Sequence, residues 1–317
     1  MSDSKDKGQG TSPKPVRISK QRTLVGPVGT VVAWIAAAMT VYHVWALVTG
    51  LPEPLRFRPI HVAFAVSLVF ALYPAAKGEP RDRVPIHDII AILLVISSTF
   101  YTQFDFQRII WRIPFVSPVT TWDYVFGAIM VLGLLEATRR AVGLPLAAIG
   151  ILAILHALYG RYTFGMFKHP GVSIERLMDQ LFLTSSGVFG RIVGTSASYV
   201  FGFTLFGSVL AAVGGNEFFM RLATAATRKL RGGPAKAAVV GSAFFGMISG
   251  SAVSNVYATG TVTIPLMKKA GFKSHFAGAV EAAASTVGQW MPPVMGSSAF
   301  LIAEFTGLTY TRVMLAS

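Results

Sequence analysis

The stretch Gly241–Gly296, GSAFFGMISGSAVSNVYATGTVTIPLMKKAGFKSHFAGAVEAAASTVGQWMPPVMG, holds two apolar runs, each interrupted at its middle. The first break is Gly246-Met247-Ile248-Ser249-Gly250-Ser251, followed by Ser254 and Asn255. The second is Gly288-Gln289-Trp290-Met291-Pro292-Pro293. Backbone groups freed at membrane depth must be satisfied by protein, water or an ion. Paired interruptions of this kind are the sequence feature that points to a binding site in secondary transporters.

The rest of the chain supports a membrane setting. Of 317 residues, 53% are apolar and 13% charged, where a soluble domain carries about 25% charged residues. Mean hydropathy is +0.57, and several apolar runs approach or exceed the roughly 18 residues of a membrane span. The net charge of +14 does not indicate a nucleic-acid partner, because the basic residues fall between apolar runs rather than on one patch. The chain has no cysteine, which excludes disulfides, thiolate metal sites and cysteine nucleophiles.

Residues 1–26 are polar and rich in Ser, Gly, Lys and Pro, so a disordered basic tail is expected. The run that follows is too long for a signal-peptide core and is expected to stay as an anchor. Crossing helices are expected at about Val28–Val48, Pro59–Ala76, Pro85–Tyr101, Thr121–Arg140, Leu144–Tyr159 and Ile192–Val213. Lys5, Lys7, Lys14, Arg17, Lys20 and Arg22 place the N-terminus in the cytoplasm, and Lys77, Arg81, Arg83, Arg139 and Arg140 agree with that alternation. Residues 103–121 read as an interfacial loop. Ile174, Leu177, Met178, Leu181 and Phe182 recur at helical spacing and predict a helix lying at the interface. A second amphipathic helix, Asn216–Arg231, is expected at the surface.

Length decides how the first broken run sits. Basic residues stand on both sides of it, and the uncharged interval Ala237–Met267 is 31 residues long. One crossing needs about 20 residues and two need about 40. Two half-length helices meeting at the Gly-Ser break satisfy both length and charge, so a re-entrant hairpin from the cytoplasm is expected. The second run, His275–Thr309, suits one crossing helix broken in the middle. Pro292 and Pro293 remove two amide donors and disfavour helix at Met291.

Gly246 and Gly250 let the backbone turn and approach closely. Ser249, Ser251, Ser254 and Asn255 bring short oxygens to freed carbonyls, the ligand type that an alkali cation takes, while half-helix N-termini offer N–H groups to an anion. Close helix packing accounts for any one small residue or serine taken singly, and less well for a set clustered at a break. Thr286, Gly288 and Gln289 stand just before the second break. Glu281 and Glu304 are carboxylates in or near the membrane, where charge is costly and often functional; either can carry a proton or face a partner helix. His43, His61, His87, His156 and His169 read as helix-end or loop residues, and none makes a metal-ligand spacing such as HExxH.

At these residues the sequence resembles the fused membrane subunit of tripartite ATP-independent periplasmic (TRAP) transporters of the TAXI branch. The matching text is Arg231–Val256, Thr263–Phe272 and Phe276–Gly296. Glu136–Leu146 and Ile174–Gly190 are similar to the joint between that family's small and large parts. The resemblance implies an all-α polytopic membrane protein of the prokaryotic inner membrane, and no enzyme. Residues 27–140 would form a small four-helix domain and 141–190 a connecting helix and linker. Residues 191–317 would begin the large permease domain as the first inverted repeat of an elevator-type ion transporter.

The same resemblance implies import of a small carboxylate delivered by a periplasmic solute-binding protein and driven by an ion gradient, with sodium as coupling ion and no other cofactor. Ser249, Gly250, Ser251, Asn255, Thr286 and Gly288 would contribute to the sodium site. Ser251, Ser254, Asn255, Gln289, Pro292 and Pro293 would face the substrate. The family's second hairpin has no counterpart here, so this chain is expected to be the N-terminal half of a longer permease. Three alternatives stay open: a sodium–dicarboxylate symporter that needs no binding protein, a non-transporting membrane protein, and an intramembrane protease using Ser249 or Ser251 with His275.

Overall fold

The structure is a computed structural model and describes residues 21–76 and 78–317. All regular structure among these residues is helical. The first half comprises α1 (Pro27–Thr49), α2 (Pro54–Leu72), α3 (Ile86–Phe104), a short α4 (Phe106–Trp111), α5 (Thr121–Ala141) and α6 (Leu144–Tyr159). A short α7 (Ile174–Met178) follows, then α8 (Arg191–Thr195), which runs through a π-helical turn into α9 (Phe201–Ala212). The second half is α10 (Gly215–Thr227), α11 (Gly233–Ser249), α12 (Ala252–Lys269), α13 (Ser274–Val287), α14 (Ser297–Thr306) and α15 (Tyr310–Ala316).

Among the described residues, five helical stretches are long and apolar enough to cross a membrane: α1, α2, α3, Leu144–Tyr162 and Arg191–Ala212. Large apolar side chains such as Trp34, Val48, Leu93 and Leu152 remain exposed along them, as lipid-facing residues do. The chain is a multi-pass membrane protein. The fourth expected span, α5, is 21 residues long but carries Asp123, Glu136, Arg139 and Arg140.

The first half packs around α2, α3 and α5, with Phe70, Val95, Met130 and Phe182 among its fully buried side chains. α2 begins five residues before the expected Pro59, because the Glu53 carboxylate accepts hydrogen bonds from the amides of Leu55 and Arg56 and so caps an earlier turn. Residues 174–182 are a surface helix only at their start, where Ile174, Glu175 and Arg176 are exposed; the far end turns into the bundle. Phe182 and Leu183 are buried in the bundle core, Met178 and Phe182 pack over Gly127 of α5, and Asp179 pairs with Arg112 at 3.1 Å. The later part of their apolar period is met by protein.

Two further expectations change. Residues 1–20 lie outside the described residues, but the ordered chain begins before residue 26. Arg22 is buried, donating to the Phe70 carbonyl at 2.9 Å and pairing with Glu79 at 2.8 Å and Asp88 at 2.7 Å. Arg140 meets the other Asp88 oxygen at 2.6 Å. His87 also approaches Glu79 and Asp88, yet the two guanidiniums already supply the positive charge that a metal would bring. His43 and His61 are not helix-end residues: they lie inside α1 and α2 and are buried. His43 Nδ1–H donates to the Met39 carbonyl at 2.7 Å, so His43 Nε2 accepts from His61 Nδ1–H at 2.8 Å. His61 Nε2 in turn faces the Ser196 hydroxyl at 3.4 Å.

Candidate functional site

The hairpin expected from the first broken run is present as α11 and α12, packed antiparallel. Pro234 stands in the first turn of α11, where the missing amide costs nothing. The helix ends at Gly250, whose φ of +57° is left-handed and whose amide donates to the Gly246 carbonyl at 3.0 Å, as a glycine past a helix C-terminus does. The Ser251 hydroxyl accepts from the Ser254 amide at 3.3 Å and starts α12. Buried Ser242 on α11 meets buried Thr259 on α12 across the two legs, hydroxyl to hydroxyl at 3.2 Å. α10 covers the outer side of α11 through Met220 and Ala223.

The second run is also broken where expected. α13 stops at Val287, a turn containing a cis Pro292–Pro293 peptide follows, and α14 begins at Ser297. Gly296 returns its amide to the Gln289 carbonyl at 2.8 Å and so closes this loop.

The two breaks meet. The Val294 amide donates to the Met247 carbonyl at 3.2 Å, one freed backbone group satisfying the other. Gly250 lies under the Met295 carbonyl, where a β-carbon would come within 1.9 Å of that oxygen. Gly246 and Gly288 are in backbone contact. Buried Asn255 ties three helices at this point: its Nδ2 donates to the Ser242 carbonyl at 2.7 Å and the Ser285 carbonyl at 3.3 Å.

Gly250, Asn255 and Gly288 are therefore brought together, with Ser249 and Ser251 half-buried at the hairpin tip. Pro292 is half-buried in the second loop, while Pro293 is exposed and gives its carbonyl to the Tyr310 hydroxyl at 2.9 Å. Ser254 and Gln289 are exposed. Thr286 is exposed as well, and its hydroxyl donates back to the Ala282 carbonyl at 2.9 Å. His275 is exposed at the start of α13, beyond the far end of α12. A helix of that length puts it about 27 Å from the tip serines, which removes the Ser–His protease pairing.

A polar cluster about one to three turns below the tip joins Glu281 to hydroxyls that the sequence reading did not single out. Glu281 is 1% exposed. Its Oε1 accepts from Thr259 at 2.5 Å, Ser285 at 3.1 Å and Ser242 at 3.4 Å, and Thr263 donates to its Oε2. The signal lay in helical spacing. Asn255, Thr259 and Thr263 stand four apart on one face of α12, as do Glu281 and Ser285 on α13. Glu304, the other candidate carboxylate, lies 3.7 Å from Arg191 at a half-exposed position.

Apolar helices long enough to cross a membrane, a helical hairpin and a broken helix joined at their interruptions make up a multi-pass membrane fold. Residues 129–317 match the family described as the tripartite ATP-independent periplasmic transporter, DctM component, and the chain belongs to this family. It is similar to the isethionate TRAP transporter permease protein DctMQ of Oleidesulfovibrio alaskensis, 36% identical over 179 residues, 56% of this chain and 24% of that protein. Similarity to the C4-dicarboxylate TRAP transporter large permease protein DctM of Vibrio cholerae is 29% over 168 residues, 52% of this chain and 34% of that protein. An uncharacterised protein of Sinorhizobium fredii is 42% identical over 74 residues, 23% of this chain and 18% of that protein. The chain thus spans about a third or less of the length of these relatives. No solved structure matches it.

Proposed function

We propose that this chain is a TAXI-type permease component whose two joined breaks form one face of a transport site for a small organic anion, driven by a sodium gradient. The observation that carries the reading is the meeting of the hairpin tip, Gly246–Asn255, with the loop Gly288–Gly296. Hairpin and broken helix together would be the first of two inverted repeats. The Ser249 and Ser251 hydroxyls and the carbonyls freed at the tip supply oxygen ligands suited to sodium. The start of α12, capped by Ser251, presents amides of the kind that bind a carboxylate or sulfonate.

The names of two relatives carry a C4-dicarboxylate and isethionate, both small organic anions, which supports that substrate class here. As a family property, an extracytoplasmic solute-binding protein would deliver the substrate. The basic segment before α1 would lie in the cytoplasm, so that the hairpin enters from that side.

The test is uptake in a host without anion carriers of its own, expressing this chain together with its genomic neighbours. Radiolabelled C4-dicarboxylates and sulfonates are supplied at set sodium gradients. Sodium-driven uptake that needs both this chain and a secreted binding protein is expected. Uptake that persists without the binding protein would favour a simple symporter, and uptake unaffected by loss of this chain would remove the transport reading. Ser249→Ala, Ser251→Ala and Asn255→Ala should each weaken the sodium dependence; an unchanged dependence in all three takes them out of the sodium site.

A further inference from the structure

We propose that Glu281 is a proton-binding site buried between the hairpin and the broken helix, and that its proton is carried in addition to any ion held at the tip. Three helices enclose the carboxyl: α11 gives Ser242, α12 gives Thr259 and Thr263, and α13 gives Ser285 and Glu281 itself. Among the described residues, none forms an ion pair with Glu281. The ionisable side chains of the three helices, Lys236 on α11, Tyr257, Lys268 and Lys269 on α12, and His275 on α13, are all exposed. A carboxylate in membrane surroundings with no counter-charge has two ways to exist: neutralised by a proton, or by a bound cation.

The contacts suit a proton: Thr259 bonds Oε1 and Thr263 bonds Oε2, one hydroxyl to each carboxyl oxygen. The cluster is also satisfied in both protonation states, because each hydroxyl has one proton and can rotate. In the ionised state Thr263 donates to Oε2. When a proton binds Oε2, that O–H donates to Thr263 Oγ1, and the Thr263 hydroxyl turns to the Thr259 carbonyl, 3.0 Å away. The remaining donors to Oε1 need not move.

The site is wired to the hairpin tip. Thr259, which bonds Oε1, also lies 3.3 Å from Asn255 Oδ1, and the Asn255 amide holds the Ser242 and Ser285 carbonyls beside the Gly246–Gly288 contact. Gly260 admits α12 to the carboxyl, since a β-carbon there would come within 3.1 Å of Glu281 Cγ. Loss of the proton would leave charge at the point where three helices join, which favours separation of the hairpin from α13. That coupling role rests on the transport reading, whereas proton binding itself does not.

The test uses the full chain in lipid nanodiscs. Infrared spectra recorded across a pH titration should show a protonated-carboxyl C=O band that disappears reversibly as pH rises and is missing in Glu281→Gln. In the unmutated chain, dicyclohexylcarbodiimide, an apolar reagent for protonated carboxyls, should label Glu281 as mapped by peptide mass. The labelling should fall about tenfold per pH unit on the alkaline side of the transition, as a single titrating carboxyl requires. A carboxyl band unchanged in Glu281→Gln, or none at any pH, would overturn the proposal. Suppression of labelling by sodium at constant pH would overturn it too, by making the site a cation site. None of these results bears on sodium-driven uptake, and failure of uptake leaves the titration standing.

Discussion

Gly246 and Gly288 touch through their backbones: a β-carbon on Gly246 would lie 2.2 Å from the Gly288 Cα, and one on Gly288 would lie 2.6 Å from the Gly246 Cα. Neither neighbour can move aside as a flexible side chain would. Gly246→Ala is therefore expected to destabilise the chain by about 1–3 kcal/mol through overpacking. Gly278, on the same helix as the second break, has nothing within 4 Å of its β-position, so Gly278→Ala should be neutral or stabilising by up to about 1 kcal/mol. Thermal unfolding of both variants in one detergent reads the contrast, and equal losses would refute the contact.

Asn255→Leu should cost about 1–3 kcal/mol, the penalty for leaving buried acceptors unpaired. Ser285 stands in the last turn of α13, where carbonyls have no partner within their helix, so Asn255 acts as its cap. Hydrogen exchange should then speed up in α12 and at the end of α13 while α2 and α3 stay protected. Uniform acceleration would argue for global loosening instead.

Asp88→Asn removes the charge shared by Arg22 and Arg140, both nearly inaccessible. A destabilisation of about 3–5 kcal/mol is expected for breaking such a buried pair. Because Arg22 is held there by Asp88, Glu79 and the Phe70 carbonyl, trypsin cleavage after Arg22 should rise. An unchanged cleavage rate would show that the carbonyl contacts suffice.

Arg108 reaches Asp105 at 2.5 Å, Asp123 at 2.6 Å and the Tyr101 hydroxyl at 2.8 Å. Burial works against its charge, but the hydrogen bonds to Asp123 and Asp105 more than offset this and hold the guanidinium above its ordinary range. Arg108→Met should cost about 3 kcal/mol near neutral pH, because buried Asp123 keeps its charge and loses its partner. The deficit should shrink as pH falls, since a protonated Asp123 needs no counter-charge. A deficit independent of pH would mean that packing rather than charge is lost.

Much of the second half was legible from local chemistry. A 31-residue uncharged interval between basic clusters, with glycine and serine at its centre, admits a hairpin and little else, and Pro292-Pro293 in the middle of an apolar run removes two amide donors and breaks the helix there. Less could be read of what surrounds a side chain. The apolar period at residues 174–182 is the same whether its face meets lipid or protein, and only the packing on Gly127 shows that Met178 and Phe182 meet protein. His43 and His61 gave no local signal, because their pairing joins residues on different helices. Glu281 was visible as a carboxylate in an apolar run, but the four hydroxyls that enclose it come from three helices.

The sequence by itself determined the membrane class, the position of the two breaks and the hairpin form of the first run. Composition, helix-breaking residues and run length act along the chain and need no partner. The tertiary structure decided that the break at Gly246–Ser251 docks on the loop Gly288–Gly296, that Asn255 rather than Ser254 faces inward, and that Glu281 is closed off without a counter-charge. Those facts depend on which helix faces meet, and contact between faces from separate segments is set by packing across the fold rather than by any residue's neighbours in sequence.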